Sequence, residues 1–155
     1  MSGLARMLLT AVLGVSLASC ADSDLGLDQH GQVVSADSLA GQWLIVNYWA
    51  EWCAPCRKEI PELNALEQQL NGQGVRILGV NFDALQNDSL QQAADKMGIA
   101  FTVLANDPAP RYDLPPSKVL PVTYIIDDQG QVREQLLGEQ TAEGLTARLL
   151  ALRAQ

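Results

Sequence analysis

The sequence has little of what would place a chain across a membrane or on nucleic acid. No apolar run approaches the roughly 18 residues of a transmembrane helix, although 48% of the 155 residues are hydrophobic. Lysine and arginine together number 10, against 18 aspartate and glutamate residues, so the net charge is −8. Because phosphate backbones and anionic headgroups repel such a chain, we predict no nucleic-acid partner and no polybasic membrane contact.

Histidine and cysteine are also scarce, with one histidine and three cysteines in the whole chain. A structural zinc site needs four ligands, and Cys53, Cys56 and the distant His30 cannot supply them. Copper chaperones with paired cysteines use a wider spacing and a late histidine, and no histidine follows His30. The sequence therefore predicts no metal site and no bound cofactor, and His30 is assigned to a solvated turn.

The N-terminus has the layout of an export signal. A basic start precedes the apolar run Met7–Leu17, and the segment Leu17-Ala18-Ser19-Cys20 follows. Small residues before a cysteine resemble the bacterial lipobox, in which cleavage leaves that cysteine linked to lipid. We therefore predict a signal peptide over residues 1–19, lipid attachment at Cys20 and a polar tether up to residue 29. An ordinary signal with a chance cysteine, or a short core helix, is the alternative.

The chain around Cys53 and Cys56 changes from a strand pattern to a helix pattern. Leu44–Ala50 is a nearly unbroken apolar and aromatic run, which predicts a strand covered on both faces. After the cysteines, apolar residues recur at helical spacing up to a stop at Asn71-Gly72. The cysteine pair is therefore expected where a central strand turns into a helix, and Pro61 is expected to kink that helix.

The remaining chain alternates between strand and helix patterns. Further strands are predicted at Arg76–Phe82, Thr102–Ala105, Val122–Asp127 and Val132–Gly138, the last two forming a hairpin. Helices are predicted to begin at the capping-box-like segment Asp88–Gln91 and at Thr141, with Asp107–Pro116 as an ordered loop. Residues 30–155 are thus predicted to form one α/β domain, with helices on both faces of a mixed sheet.

Two cysteines separated by two residues at a helix start favour redox chemistry. The thiolate form attacks disulfides, and the N–H groups and dipole of the helix favour negative charge at Cys53. Cys53 is therefore predicted to be the exposed nucleophile, and Cys56, one turn inside the helix, to resolve the mixed disulfide. The alternative is a structural disulfide, but so short a ring removes little chain entropy.

The segment Trp49–Cys56 resembles the active site of thioredoxins, with alanine in place of their glycine. The longer segment Cys53–Leu63, with Leu120-Pro121 before a late strand and the lipobox ahead, resembles the TlpA, ResA and CcmG group of membrane-tethered thioredoxins. The resemblance runs from about Gly31 to the C-terminal helix. It implies a thioredoxin fold that includes the insertion of this family, placed at Gln86–Ala105.

The resemblance also implies an activity and a location. Members of this group are dithiol reductants, or occasionally oxidants, of disulfides in exported proteins such as apocytochromes c. A reductant would be recharged by a membrane electron relay of the DsbD kind, with the domain held in the periplasm at the cell envelope. An oxidant or isomerase and a non-catalytic binding module are alternatives. A peroxidase is disfavoured because such enzymes place their reactive cysteine differently.

Three further site residues follow from the resemblance. Trp52 would help form the surface that receives the substrate, whereas Trp49 is assigned to the core. Thioredoxins place a cis proline immediately before this late strand, so Pro121 is predicted to be cis. The backbone of Leu120 would then pair with an extended substrate segment by strand addition.

A group that exchanges protons is also expected near the cysteines. Asn47 stands where thioredoxins carry a buried aspartate, and asparagine cannot exchange a proton. Glu59 lies one helical turn after Cys56, beside the apolar face, where partial burial would raise its pKa toward neutrality. TlpA- and ResA-like proteins carry a glutamate at this place in the motif. Glu59 is therefore the predicted acid–base residue, and a simply solvated side chain is the alternative.

Overall fold

The computed structural model describes residues 24–155. Within this range, seven strands and five helices follow one another along the chain. The strands are β1 (Asp24–Leu27), β2 (Val33–Ser35), β3 (Trp43–Trp49), β4 (Val75–Asn81), β5 (Thr102–Leu104), β6 (Val122–Ile126) and β7 (Val132–Leu137). The helices are α1 (Ala36–Leu39), α2 (Ala54–Leu70), α3 (Asn87–Met97), α4 (Ala109–Tyr112) and α5 (Ala142–Arg153).

Five strands form one mixed sheet in the order β5-β4-β3-β6-β7. Strand β3 pairs in parallel with β4 and antiparallel with β6, and β6 and β7 form the predicted hairpin. One face of the sheet packs on α2 and α5, and the other is covered by α1, the β1–β2 hairpin and the segment around α4. The predicted α/β domain with a mixed sheet is therefore confirmed.

Helix α2 forms because its apolar residues return every three or four positions and so share one face. The buried aliphatic positions are Ile60, Leu63, Leu66 and Leu70, and Cys56 and Glu59 are buried with them. Glu67 lies beside this buried face, and its Oε2 accepts a hydrogen bond from the backbone N–H of Ile77 at 3.0 Å. The helix ends at Leu70, where Asn71-Gly72 predicted a stop, and Gly72 takes the left-handed φ of 74° that follows.

The start of α3 differs from the sequence prediction. The helix begins at Asn87, its N-cap is Gln86, and no side chain caps it, so the predicted capping box at Asp88–Gln91 is wrong. The side chain of Gln86 donates instead to the carbonyl of Ala105 at 2.6 Å. This bond joins the two ends of the predicted insertion. The final helix agrees with the prediction, since Thr141 Oγ1 accepts from the N–H of Gly144 at 3.1 Å.

The domain begins earlier in the chain than predicted. Asp24–Leu27 was expected in the tether, but it forms β1 and pairs antiparallel with β2. Gln29 is buried, and its side chain bonds to the backbone of Phe101 and of Val103. The tether prediction is therefore wrong for residues 24–29. The polar residues of this segment suggested an exposed tether. They are instead part of the domain, because backbone and side-chain amide groups of the segment bond to the edge strand β5.

Candidate active site

Cys53 and Cys56 lie at the junction of β3 and α2, as predicted, and are joined by a disulfide. Cys53 is the N-cap of α2, and its Sγ accepts a hydrogen bond from the backbone N–H of Cys56 at 3.2 Å. Pro55 lies in the first turn of α2, where backbone N–H groups have no partner within the helix. The N–H that proline lacks therefore costs no helical hydrogen bond. The Cys53 sulfur therefore lies at the positive end of the helix, where a thiolate is stabilised.

The disulfide is almost completely covered by protein. Cys53 is 4% exposed and Cys56 is 0% exposed, so the prediction of an exposed Cys53 is wrong for the oxidised protein. The cover comes from an apolar cluster that includes Trp49 and the α3 residues Leu90 and Ala94. Cys53 remains the more exposed of the two residues, and its position at the helix start is the stronger argument for it as the nucleophile.

Glu59 is buried on the inner face of α2, with only 1% of its surface exposed. Asn47 Nδ2 donates a hydrogen bond to its Oε1, and the backbone N–H of Gln140 donates to its Oε2 at 3.0 Å. Burial raises the pKa of Glu59 to about 7, although both hydrogen bonds favour the carboxylate and act in the opposite direction. The carboxyl group one turn after Cys56 is therefore able to hold or release a proton near neutral pH.

Asn47 has a role that the sequence did not suggest. Its Nδ2 also donates to Thr123 Oγ1 at 3.0 Å, and the two residues face each other across β3 and β6. Asn47 thus orients the carboxylate of Glu59 rather than only replacing an acid. Sequence reasoning missed both Thr123 and Gln140. Thr123 could have been found from the sequence, because it is a hydroxyl residue within an otherwise apolar strand. Gln140 could not, because only its backbone N–H takes part.

Trp52 lies on the surface beside the redox pair, and 63% of it is exposed. Its Nε1–H donates to the carboxylate of Asp83, with the nearer oxygen at 3.0 Å. Its ring meets Phe82 edge to face, with the centroids 6.2 Å apart. Trp49, by contrast, is fully buried, which agrees with its assignment to the core. An oriented, exposed Trp52 suits a substrate surface, and this role stays a prediction.

The peptide bond between Leu120 and Pro121 is cis, as predicted. The side chain of Leu120 is partly buried against the apolar cluster that contains Cys53 and Cys56. Among residues 24–155, neither the backbone N–H nor the C=O of Leu120 has a hydrogen-bond partner. Strand addition by a substrate at Leu120 stays a prediction, and both backbone groups needed for it are free.

The predicted lipid-attachment residue, Cys20, lies outside the described residues, as do the signal peptide over residues 1–19 and the first part of the tether. Within residues 24–155, every helix is too short or too polar to cross a bilayer. In the same part of the chain, no three His, Cys, Asp or Glu side chains come together as metal ligands would.

The chain is similar to a known family over most of its length. The AhpC/TSA family matches residues 17–135. The thiol-disulfide oxidoreductase ResA of Bacillus thuringiensis is 34% identical over 123 residues, which are 76% of this chain and 68% of that protein. The thiol:disulfide interchange protein HelX of Rhodobacter capsulatus is 32% identical over 124 residues, or 79% of this chain and 68% of that protein.

Solved structures share the same architecture. A DsbF homologue from Corynebacterium diphtheriae superposes with a TM-score of 0.70 at 25% identity, covering 83% of this chain and 84% of that one. The five-stranded mixed sheet with helices on both faces is therefore a thioredoxin fold, as predicted. The segment matched by the family includes both cysteines and Glu59.

Proposed function

Since the chain belongs to the AhpC/TSA family, within a ResA-like group of thiol-disulfide oxidoreductases, we propose that it reduces disulfides of exported proteins through Cys53 and Cys56. Thiol-disulfide exchange itself is the activity that its relatives and fold support. The observation that carries the proposal is a cysteine pair at the start of α2, one turn before a buried glutamate whose pKa is about 7.

The first step is attack by Cys53. In the reduced protein, the Cys53 thiolate attacks one sulfur of the substrate disulfide. A bond forms between Cys53 and that sulfur, the substrate S–S bond breaks, and the second substrate sulfur leaves as a thiolate. The N–H groups at the start of α2 increase the fraction of Cys53 that is ionised and ready to react.

The second step is resolution by Cys56. Its thiol loses a proton to the carboxylate of Glu59, and its sulfur attacks Cys53 Sγ, which releases the first substrate sulfur as a thiolate. The protein dithiol becomes a disulfide, and the substrate disulfide becomes two thiols after protons are taken up from Glu59 and water. Because the pKa of Glu59 is about 7, both of its forms are populated at neutral pH.

The direction of exchange is tested by the reduction potential of the Cys53–Cys56 couple. A reductant is expected near the thioredoxin value of about −270 mV, whereas a strong oxidant lies near about −120 mV. Equilibration in thiol redox buffers, followed by acid quenching and mass analysis of alkylated cysteines, measures it. A potential near the upper value would make the protein an oxidant and would overturn the proposed direction.

Apocytochromes c are the proposed substrates within the exported proteins, and a membrane electron relay of the DsbD kind is the proposed source of electrons. Catalysed reduction of insulin distinguishes this function from that of a non-catalytic binding module, which would leave the insulin disulfides intact. Consumption of hydrogen peroxide with thiols would identify a peroxidase instead.

We further propose a lipid anchor at Cys20 that keeps the domain at the periplasmic side of the cell envelope. Cys20→Ser is expected to shift the protein from the membrane fraction to the soluble fraction, because a serine hydroxyl cannot form the thioether to lipid. Fractionation with detection of the domain measures this, and Ser23→Ala is the matched control in the same segment. An intact mass that shows unmodified Cys20 in membrane-purified protein would contradict the anchor.

A further inference from the structure

A cleft of about 290 Å³ opens beside the ends of β3 and β4, and nothing in the proposed mechanism uses it. It is lined by the end of β3 at Tyr48, the end of β4, and the segment that carries α4. Neighbouring residues of a strand point to opposite faces, and Asn47 points to Glu59. Tyr48 and the cleft therefore lie on the sheet face away from Glu59.

The walls of the cleft are mainly apolar and are held in place. The lining includes Val80, Leu104, Leu114 and Val122. Tyr48 Oη donates a hydrogen bond to Asp107 Oδ1 at 2.5 Å, and the Tyr48 ring meets Tyr124 edge to face. The bond to Asp107 ties the segment that carries α4 to the sheet. A concave, apolar site with few polar groups is the usual form of a binding pocket.

Two residues of the cleft lining lie next to residues of the redox site. Phe82 lines the cleft and also contacts Trp52, the residue before Cys53. On the other wall, Val122 follows Leu120 by two residues, and Leu120 packs against the cluster of the cysteines. An extended chain advances about 3.3 Å per residue. A substrate segment with its cysteine at Cys53 would thus place a nearby side chain at the cleft.

We propose that this cleft binds a large apolar side chain of the substrate polypeptide, close in sequence to the cysteine that is attacked, and thereby sets substrate preference. The inference rests on the proposed function. An aromatic side chain buries a large area with little loss of rotamer freedom, which suits a cleft of this size and lining.

The preference is measured with disulfide peptides that differ only by phenylalanine or alanine next to the reactive cysteine. The parent protein is expected to show a kcat/KM about 10-fold to 100-fold higher for the phenylalanine peptide. Ala109→Leu puts a larger side chain into the cleft and is expected to bring the ratio close to one. Ala147→Leu, the same change on the exposed face of α5, should leave the parent's ratio unchanged. Equal values for the two peptides with the parent protein would overturn the proposal.

A second measurement does not depend on redox activity. Peptides with serine in place of both cysteines are added to the oxidised protein, and the methyl NMR signals of Leu114 and Val122 are followed. The phenylalanine peptide is expected to shift both signals and the alanine peptide neither. Shifts without reduction of the disulfide peptides would support the cleft and overturn the proposed function. Reduction of the peptides without NMR shifts would overturn the binding role of the cleft but not the proposed function. Shifts caused only by raising the protein concentration would also overturn it, because they would identify a second copy of the protein as the occupant.

Discussion

Cys53→Ser is expected to reduce the rate of insulin reduction to the uncatalysed background, whereas Cys56→Ser should stop the reaction after its first step. Serine cannot form the sulfur–sulfur bond that begins exchange, so the Cys53 variant makes no mixed disulfide. The Cys56 variant keeps the sulfur at the start of α2 and lacks only the resolving thiol. Mass analysis after incubation with a disulfide substrate should therefore find a stable mixed disulfide on Cys53.

Alkylation of the reduced parent protein checks the same assignment. Iodoacetamide at neutral pH should label Cys53 first, because Cys56 is fully buried and Cys53 lies at the helix start. The Cys20→Ser variant is the control, since the mechanism uses only the other two cysteines, and it should reduce insulin at the parent rate. Faster labelling of Cys56, or a mixed disulfide trapped on Cys56 in the Cys53→Ser protein, would reverse the assignment.

Glu59→Gln is expected to slow resolution of the mixed disulfide by about 10²-fold to 10⁴-fold, the usual contribution of a positioned acid–base group. Glutamine keeps the size of the side chain and an oxygen that can accept from the Gln140 N–H, but it cannot carry the proton. The pH–rate profile between mildly acidic and mildly alkaline pH measures the effect. If the profiles of variant and parent coincide, Glu59 does not carry the proton.

Glu62→Gln is the matched control for this prediction. Glu62 lies on the same helix, three residues later, and its Oε2 accepts from the backbone N–H of Ala142 at 3.0 Å. Both glutamates therefore bind the start of α5, but Glu62 is exposed and Glu59 is buried. A role in holding α2 to α5 would make both variants behave alike, whereas proton transfer would change the pH profile only in Glu59→Gln.

The raised pKa of Glu59 also predicts how stability depends on pH in the oxidised protein, where the cysteines do not titrate. Burial raises this pKa from 4.5 to about 7, so between these values the folded state binds more protons than the unfolded state. Stability should therefore fall as the pH rises through this window, by about 3 kcal/mol in total. Urea unfolding at pH 5 and pH 8 should show this loss in the parent relative to Glu59→Gln. An equal change in both proteins would contradict it.

Much of the site was predictable because it depends on local sequence. The apolar run of β3 followed by the helical spacing of α2 places Cys53 at a helix start, and both patterns arise from neighbouring residues. The burial of Glu59 follows from its position three residues after Cys56 and beside Ile60. The cis form of Pro121 was predicted from resemblance alone, since X-Pro bonds are usually trans.

Tertiary contacts decided the features that the sequence left open or misassigned. Polar composition at residues 24–29 indicated a tether, but pairing with β2 and backbone hydrogen bonds to Val103 and Ala105 made this segment part of the domain. Helix spacing predicted an exposed Cys53, and the packing of α3 across the site covered it. Composition and periodicity describe one segment at a time, so they do not reveal which distant segment will lie against it.

By itself, then, the sequence determined the α/β class, the position of the cysteine pair at a strand-to-helix junction and the type of chemistry that such a pair performs. Only the tertiary structure decided what surrounds Glu59, because Asn47 lies 12 residues before it and Gln140 lies 81 residues after it. Their hydrogen bonds and the burial of the carboxyl group exist only once β3, α2 and the start of α5 are packed together. The pKa that suits Glu59 for proton transfer is therefore a property of the folded chain.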